Sequence, residues 1–338
     1  MNKMENKSDL IKETLVFLAL VFGITYGLNL FCYLSFGSYL ESPTSWGPLL
    51  QIEMFIPAAV AIFCLYLFKH PSLTGKSKIL FSIFSLIVLS GIIGLIAKSV
   101  VQYISLIWQA LVVIGFISII VLNLKKGWRD DLKLSRLSFG KRPTFYVHFP
   151  LIFIALFAVS VYLNSFFGLG APIKQTDSIT LLLTIIQTVL LVIVLGWPLY
   201  FGEEYGWRAY LQDRMIGIFG SIKGVVLVGV IWGLWHAPVI AMGYNYPGNP
   251  ILGVITMTLF SVVIGIYFSF AVFKTGSVWI AVLLHMITNS VGPLLYTYIA
   301  FATDPIFSFG VGVYGIVFLA IPAIFMLKSD VFKEGDED

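Results

Sequence analysis

The amino-acid sequence predicts an all-α fold, a polytopic transmembrane helical bundle of about ten spans. The prediction rests first on composition, since 59% of the 338 residues are hydrophobic and only 11% are charged. Soluble domains carry about 25% charged residues, and they need a wetted surface that grows with their size. It rests also on placement, because long stretches such as 179–200 contain no charged residue. A lipid bilayer is the solvent that suits this chain.

The individual spans follow from the length of helix that crosses a bilayer. A hydrocarbon core about 30 Å thick requires roughly 20 apolar residues in a helix. Applied along the chain, this length predicts spans at Leu15–Ser35, Leu49–Phe68, Ile79–Ala97, Val101–Leu122, Phe145–Phe167, Ile179–Tyr200, Gly224–Ala241, Ile251–Phe273, Val278–Tyr298 and Ile306–Leu327. The sixth is expected to continue as a helix to about Arg214. The apolar stretch after Met1–Glu13 is too long for a signal peptide and is interpreted as a retained first span.

The distribution of Lys and Arg predicts the orientation, because cytoplasmic loops carry an excess of both. Segment 69–78 carries three lysines, and segment 124–144 carries seven basic residues. Later basic residues fall on the same side, and the opposite side shows only Lys98 and Lys174. Both termini are therefore predicted to be cytoplasmic, in a multi-pass protein of the cell membrane.

The basic segment 124–144 also divides the chain into two predicted regions. Residues 1–144 form a four-span region that ends in this loop, and residues 145–338 form a six-span region. The loop could be interpreted as a nucleic-acid patch. A polybasic loop beside a membrane more often sets topology and contacts anionic lipid. We therefore expect the lipid bilayer as a partner and no nucleic acid.

The two cysteines, Cys32 and Cys64, each lie inside an apolar segment. Their number and spacing fit neither a disulfide framework nor a zinc cluster. They are interpreted as small side chains packed within helices.

Ionisable side chains inside membrane spans are costly and therefore suggest function. Three clusters stand out, in the sixth, seventh and ninth spans, at 202–208 (GEEYGWR), 232–236 (WGLWH) and 285–289 (HMITN). Measured as helix rise from the nearest basic residue at the cytoplasmic boundary, each lies about 16 to 20 Å deep. Polar groups at one depth in neighbouring helices can meet inside a bundle, so the clusters predict one site. Glu53, in the second span, stands apart and is interpreted as an interfacial or structural carboxylate.

Helical spacing assigns roles within these clusters. Glu204 and Arg208 are four residues apart, so they share a face and are predicted to pair. Glu203 is rotated about 100° from Glu204, which leaves one carboxylate without a cation, as a general base requires. His285 and Asn289 are also four apart and present an imidazole and an amide that can stabilise an oxyanion.

Each cluster alone also has a structural interpretation. Glu204 and Arg208 could be a structural ion pair, and Asn289 could hydrogen-bond between helices. His236 could likewise form a hydrogen bond to a neighbouring helix and have only a structural role. In the functional interpretation, it shares a water with Glu203. The tryptophans of the first two clusters are more often packing residues. The common depth of the three clusters favours a functional site.

These residues resemble the motifs of the CPBP family of intramembrane glutamate-dependent proteases, named for CAAX processing and bacteriocin processing and also called Abi. The family motifs Glu-Glu-x-x-x-Arg, Phe-x-x-x-His and His-x-x-x-Asn/Asp correspond here to Glu203, Glu204, Arg208, Trp232, His236, His285 and Asn289. One position departs from the pattern, since Trp232 stands where the family usually has Phe. The resemblance covers about 179–298, the expected protease core.

The resemblance implies an intramembrane endopeptidase. It implies that Glu203 and His236 activate a water for attack on a peptide carbonyl. It implies that His285 and Asn289 stabilise the oxyanion, while the ion pair of the first motif holds the arrangement. Family members trim prenylated CAAX proteins or take part in bacteriocin maturation or self-immunity. The implied partner is a protein or peptide substrate at the cytoplasmic side of the membrane.

Metal dependence and two other classes of function stay open at this point. The zincin motif His-Glu-x-x-His is absent from the sequence, yet Glu203, His236 and His285 could supply three zinc ligands. A metal-free mechanism is slightly preferred. A transporter or ion relay could use the same groups, although no inverted repeat is recognisable. A non-catalytic bacteriocin-immunity or scaffold protein could use the same fold.

Overall fold

The computed structural model describes residues 6–97, 101–172, 177–298 and 300–333. Its helices are α1 (Lys7–Phe36), α2 (Pro43–Leu67), α3 (Gly75–Ile96), α4 (Val101–Leu124), α5 (Lys126–Asp131), α6 (Phe145–Phe166), α7 (Ser178–Leu191), α8 (Trp197–Glu204), α9 (Gln212–Phe219), α10 (Ser221–Trp235), α11 (Ala237–Ala241), α12 (Pro250–Thr275), α13 (Val278–Tyr298) and α14 (Val313–Leu327). Two short strands, β1 (Gly170–Pro172) and β2 (Ala300–Ala302), pair antiparallel. The prediction of an all-α fold is confirmed.

The apolar helices follow the predicted order, although two of the ten predicted spans are shorter helices than expected. Within the described residues, eight helices are long and apolar enough to cross a membrane, with 178–219 taken as one helix. The shorter apolar helices α10 and α14 lie where the other two spans were predicted. The sixth span continues past its expected end near Arg214 to Phe219. No side chain of α7 is buried, as expected for a helix in contact with lipid.

The last span begins later than predicted. Its helix was expected from Ile306, but α14 begins at Val313. Gly310 in the intervening segment has a φ of 102°, a conformation that interrupts a helix. Gly312 then immediately precedes the helix, with extended backbone.

The predicted seventh span, Gly224–Ala241, is interrupted at His236, between α10 and α11. Pro238 lacks the backbone N–H that would bond the Leu234 carbonyl one turn earlier. The Tyr26 hydroxyl donates a 2.8 Å hydrogen bond to that carbonyl instead. His236 therefore lies at a helix end rather than within a straight span.

The sixth span combines α-helical and π-helical turns. Two π-helical segments, Val192–Gly196 and Tyr205–Leu211, flank α8. Such wide turns occur frequently at functional sites. The second begins directly after Glu204, so the motif Glu-Glu-x-x-x-Arg lies across a change in helix period.

Glycines allow the helices around α8 to approach closely. A Cβ on Gly202 would overlap the Met54 backbone, and a Cβ on Gly206 would overlap Pro57. The sixth span therefore lies directly against the α2 backbone. Glycines of α10 contact the backbone of α12 in the same way. Membrane helices commonly associate through such small residues, because dispersion contacts replace the hydrophobic effect between them.

Candidate active site

The structure brings the first and third clusters into direct contact. The Arg208 Nε donates to Glu204 Oε2 at 3.1 Å, so the predicted pair is present. The other carboxylate oxygen, Oε1, lies 2.8 Å from His285 Nδ1. His285 Nε2 in turn lies 3.1 Å from the Asn289 side-chain nitrogen. One chain of hydrogen bonds thus connects the sixth span, where the two charges lie, with α13.

Glu204 is a fully buried carboxylate with two partners. The side chains of Glu204 and Arg208 are both 0% exposed. Burying two charges costs several kcal/mol per ion, which only good geometry and further hydrogen bonds offset. The bond to His285 is such a further bond, and it also fixes the orientation of the imidazole. Sequence spacing missed this contact, because the two residues are 81 positions apart.

The partners of the His285 ring indicate which of its nitrogens carries a proton. A carboxylate only accepts, so His285 Nδ1 donates to Glu204. Nε2 then accepts from the Asn289 amide nitrogen. That nitrogen carries two N–H groups, so one of them is not used by the bond to His285.

Arg208 lies between aromatic rings. Its guanidinium carbon is 5.0 Å from the centroid of the Trp232 ring and 5.7 Å from that of Phe268. Gly265 leaves room for it, since a Cβ there would lie 3.3 Å from Arg208 Nη2. Nη1 and Nη2 make no hydrogen bond within the described part of the chain. Cation–π contacts therefore accompany Glu204 in stabilising this buried cation.

Glu203 is buried without a cation bound to it among the described residues. The residue is only 3% exposed. Its Oε2 accepts a 2.8 Å hydrogen bond from Trp232 Nε1. A carboxylate free of a cation was predicted, but the tryptophan was interpreted as packing. The signal that could have identified this donor is the replacement of the family's Phe by a ring with an N–H.

The hydrogen bonding of His236 indicates which of its ring nitrogens can accept a proton. Its Nδ1 lies 2.9 Å from the Trp232 carbonyl oxygen, which only accepts, so Nδ1 carries the proton. Nε2 is then the nitrogen able to accept a proton. The rings of His236 and Trp232 lie 6.0 Å apart, and Trp232 also bonds Glu203. His236 and Glu203 thus both hydrogen-bond to Trp232, the first to its carbonyl oxygen and the second to its indole N–H. The water between the two side chains stays a prediction.

Glu53 was interpreted as an interfacial or structural carboxylate. It is only 4% exposed, which favours the structural alternative. Its Oε1 accepts a 3.0 Å hydrogen bond from Asn29 of α1. The adjacent Met54 packs on Gly202, and the charges of Glu53 and Glu203 are close enough to interact. The first two helices therefore reach the site, which the sequence had not indicated.

The zinc ligand set left open by the sequence does not form in this arrangement. Across the described ranges, no group of three or more His, Cys, Asp and Glu side chains could hold a metal ion. His285 uses both ring nitrogens within the protein, and Glu203 has one oxygen bonded to Trp232. Glu203, His236 and His285 thus do not meet the three-ligand requirement of catalytic zinc.

The resulting arrangement suits hydrolysis by general-base chemistry. It holds one carboxylate without a cation, one basic imidazole nitrogen and one amide donor, on three helices. Aromatic rings pack against His236 and His285, whereas Asn289 is exposed at the edge of the site.

Comparison with known proteins places this site within a recognised family region. Residues 181–291 match the family model described as Type II CAAX prenyl endopeptidase Rce1-like. Over 44 residues the chain is 39% identical to a protein of Methanococcus maripaludis named CAAX prenyl protease 2. That match covers 13% of this chain and 16% of the relative's length. The resemblance inferred from the motifs is confirmed for this region, which contains every residue of the three motifs.

Proposed function

We propose that the protein is an intramembrane endopeptidase that hydrolyses a peptide bond in a protein or peptide substrate. One observation carries the proposal. Arg208, Glu204, His285 and Asn289 form a continuous hydrogen-bonded chain beside the uncompensated carboxylate of Glu203. All lie within the segment that matches the CAAX endopeptidase family. A merely structural ion pair would not require this second carboxylate to stay buried without a cation.

The first step is the activation of water by Glu203. The carboxylate accepts a proton from water, and the hydroxide oxygen attacks the substrate carbonyl carbon. The Nε2 of His236 is a second acceptor that orients the same water. The hydrogen bonds of both groups support this assignment, because each group keeps an acceptor atom outside its hydrogen bond to Trp232, Oε1 in Glu203 and Nε2 in His236.

The second step is the collapse of the tetrahedral intermediate. The oxyanion accepts a hydrogen bond from the Asn289 amide, and His285 holds that amide in place. The protonated Glu203 then returns its proton to the amide nitrogen as the C–N bond breaks. The products are a carboxylic acid and an amine, which together contain every atom of the peptide and the water, and the acid then transfers its proton to the amine. Glu204 and Arg208 orient His285 throughout.

The substrate class follows from the family and from the membrane location. The matched family is that of the CAAX prenyl endopeptidases, and we propose a prenylated CAAX protein as the substrate. Its lipid would enter from the bilayer, and its peptide from the cytoplasmic side. The basic segment 124–144 supports this orientation, with both termini in the cytoplasm and the protein in the cell membrane.

We propose that side chains alone activate the water, because the described donors do not form a zinc site. Purified protein should then contain less than one zinc per chain and keep its activity after treatment with a chelator. Activity lost to the chelator and restored by zinc would contradict this part of the mechanism and establish a metalloprotease.

The proposed function is tested by cleavage of a farnesylated peptide ending in a CAAX sequence, with the purified protein in liposomes. Wild type should release the C-terminal tripeptide, and Glu203→Gln should lower kcat by about 10²- to 10⁴-fold. Glu41→Gln is the control, because Glu41 is an exposed carboxylate outside the three motifs that accepts a 2.6 Å hydrogen bond from the Ser38 backbone N–H. Cleavage unchanged by Glu203→Gln would overturn the proposal. Cleavage absent from wild type, with ion-coupled uptake dependent on Glu203, would indicate a transporter instead.

A further inference from the structure

Trp232 touches a member of every motif in the candidate site. Its Nε1 donates to Glu203 Oε2 at 2.8 Å, and its ring lies 5.0 Å from the Arg208 guanidinium carbon. The same ring packs edge-on against His285, with centroids 5.4 Å apart. The residue is 4% exposed, so these contacts are made away from water. One indole thus connects the three helices that carry the site.

We propose that the Trp232 indole N–H is a positioning group that aims the Glu203 carboxylate at the water it activates. This inference rests on the proposed function. Bonding Oε2 to a fixed donor restricts how the carboxylate can turn, and we assign the proton to Oε1. The Trp207 indole also interacts with this carboxylate, but the 2.8 Å bond to Oε2 comes from Trp232. A phenyl ring would occupy similar space but could not donate, so the positioning is particular to a chain with Trp at 232.

The acceptor distinguishes this tryptophan from others that are equally buried. Trp279 donates at 2.8 Å to the Leu137 carbonyl, and Trp197 donates at 3.1 Å to the Val112 carbonyl. Those bonds join backbone to side chain and stabilise the fold. The bond from Trp232 goes to an ionisable group instead, and hydrogen bonds to charged groups are shorter and stronger. A group held this way keeps its orientation without an ion pair.

The kinetic test compares Trp232→Phe with Trp279→Phe in the farnesylated-peptide assay. Both changes remove a buried indole N–H that donates at 2.8 Å, and only the acceptor differs. Trp232→Phe should lower kcat by about tenfold to 100-fold with KM unchanged, the loss expected for one hydrogen bond to a charged group. Trp279→Phe should keep the wild-type kcat. A Trp232→Phe enzyme with wild-type kcat, or an equal loss in both variants, would overturn the inference.

A second measurement does not depend on catalysis or on how Trp232→Phe folds. The protein contains eight tryptophans, so labelling with indole ¹⁵N gives a short list of NMR signals. Phe substitutions at the other positions assign the Trp232 signal by elimination. Glu203→Gln should move it upfield, because a neutral amide oxygen is a weaker acceptor than a carboxylate, and should leave the Trp279 signal in place.

The two measurements separate failure of the inference from failure of the proposed function. An unmoved Trp232 signal in Glu203→Gln would overturn the inference even if wild type cleaves the peptide. A wild-type protein that cleaves nothing would overturn the proposed function. In that case the NMR result alone decides whether the indole holds Glu203.

Discussion

At the residue scale, the adjacent carboxylates of Glu203 and Glu204 have different partners. Replacing each of them is therefore expected to affect stability differently. Glu204 bonds a buried cation and an imidazole, whereas Glu203 bonds an indole N–H. The i,i+4 rule was sufficient to predict the partner of Glu204 on its own helix. It had no means of predicting His285, because contacts between distant helices depend on tertiary packing that no local spacing encodes.

We expect stability measurements to distinguish the two. Glu204→Gln leaves Arg208 as a buried cation without a counter-charge, which should lower the free energy of unfolding by about 3–5 kcal/mol. Glu203→Gln deprives no cation of a partner and keeps an oxygen for Trp232, so its unfolding free energy should change by less than about 1 kcal/mol. Thermal or denaturant unfolding in detergent measures both. Equal destabilisation of the two variants would contradict the claim that only Glu204 neutralises a buried cation.

At the element scale, the site depends on irregular helices. Wide turns follow Glu204, and Pro238 ends the regular helix near His236. Hydropathy predicted the existence and order of the spans, because lipid demands about 20 apolar residues whatever their internal geometry. Hydropathy did not predict the π segments or the break at His236. Both depend on which donor bonds each backbone carbonyl, such as the Tyr26 hydroxyl on the Leu234 carbonyl.

The contact between α2 and the sixth span should be sensitive to a single methyl group. Gly206→Ala places a Cβ in overlap with Pro57, so it should lower stability by about 1–3 kcal/mol and reduce activity by displacing the site. Gly27→Ala is the matched control, since no atom lies within 4 Å of the added Cβ. It should change stability by less than about 1 kcal/mol. Unfolding and peptide cleavage measure the pair, and a tolerated Gly206→Ala would show that the close contact is unnecessary.

At the scale of the whole molecule, the N-terminal spans are part of the site's surroundings. The sequence assigned them no function, because none of the three motifs falls within them. The structure packs Met54 onto Gly202 and buries Glu53 and Asn29 as a bonded pair nearby. The division between residues 1–144 and 145–338 stays a prediction, and the contact of α2 with α8 crosses it.

The orientation of the molecule in the membrane has its own test. Single cysteines at Lys125 and Lys141, in a background with Cys32 and Cys64 replaced, should react with a membrane-impermeant reagent only from the cytoplasmic side. Cysteines at Lys98 and Lys174 should react only from the opposite side. The reverse pattern would invert the topology and remove the cytoplasmic access proposed for the substrate.

The most direct test of the central claim is a double-mutant cycle on kcat with Glu203→Gln and His236→Ala. If both side chains act on one water, each variant should lose about 10²-fold or more, and the double variant should be no slower than the slower single variant. Losses that multiply in the double variant, or a wild-type rate in either single variant, would contradict a shared water.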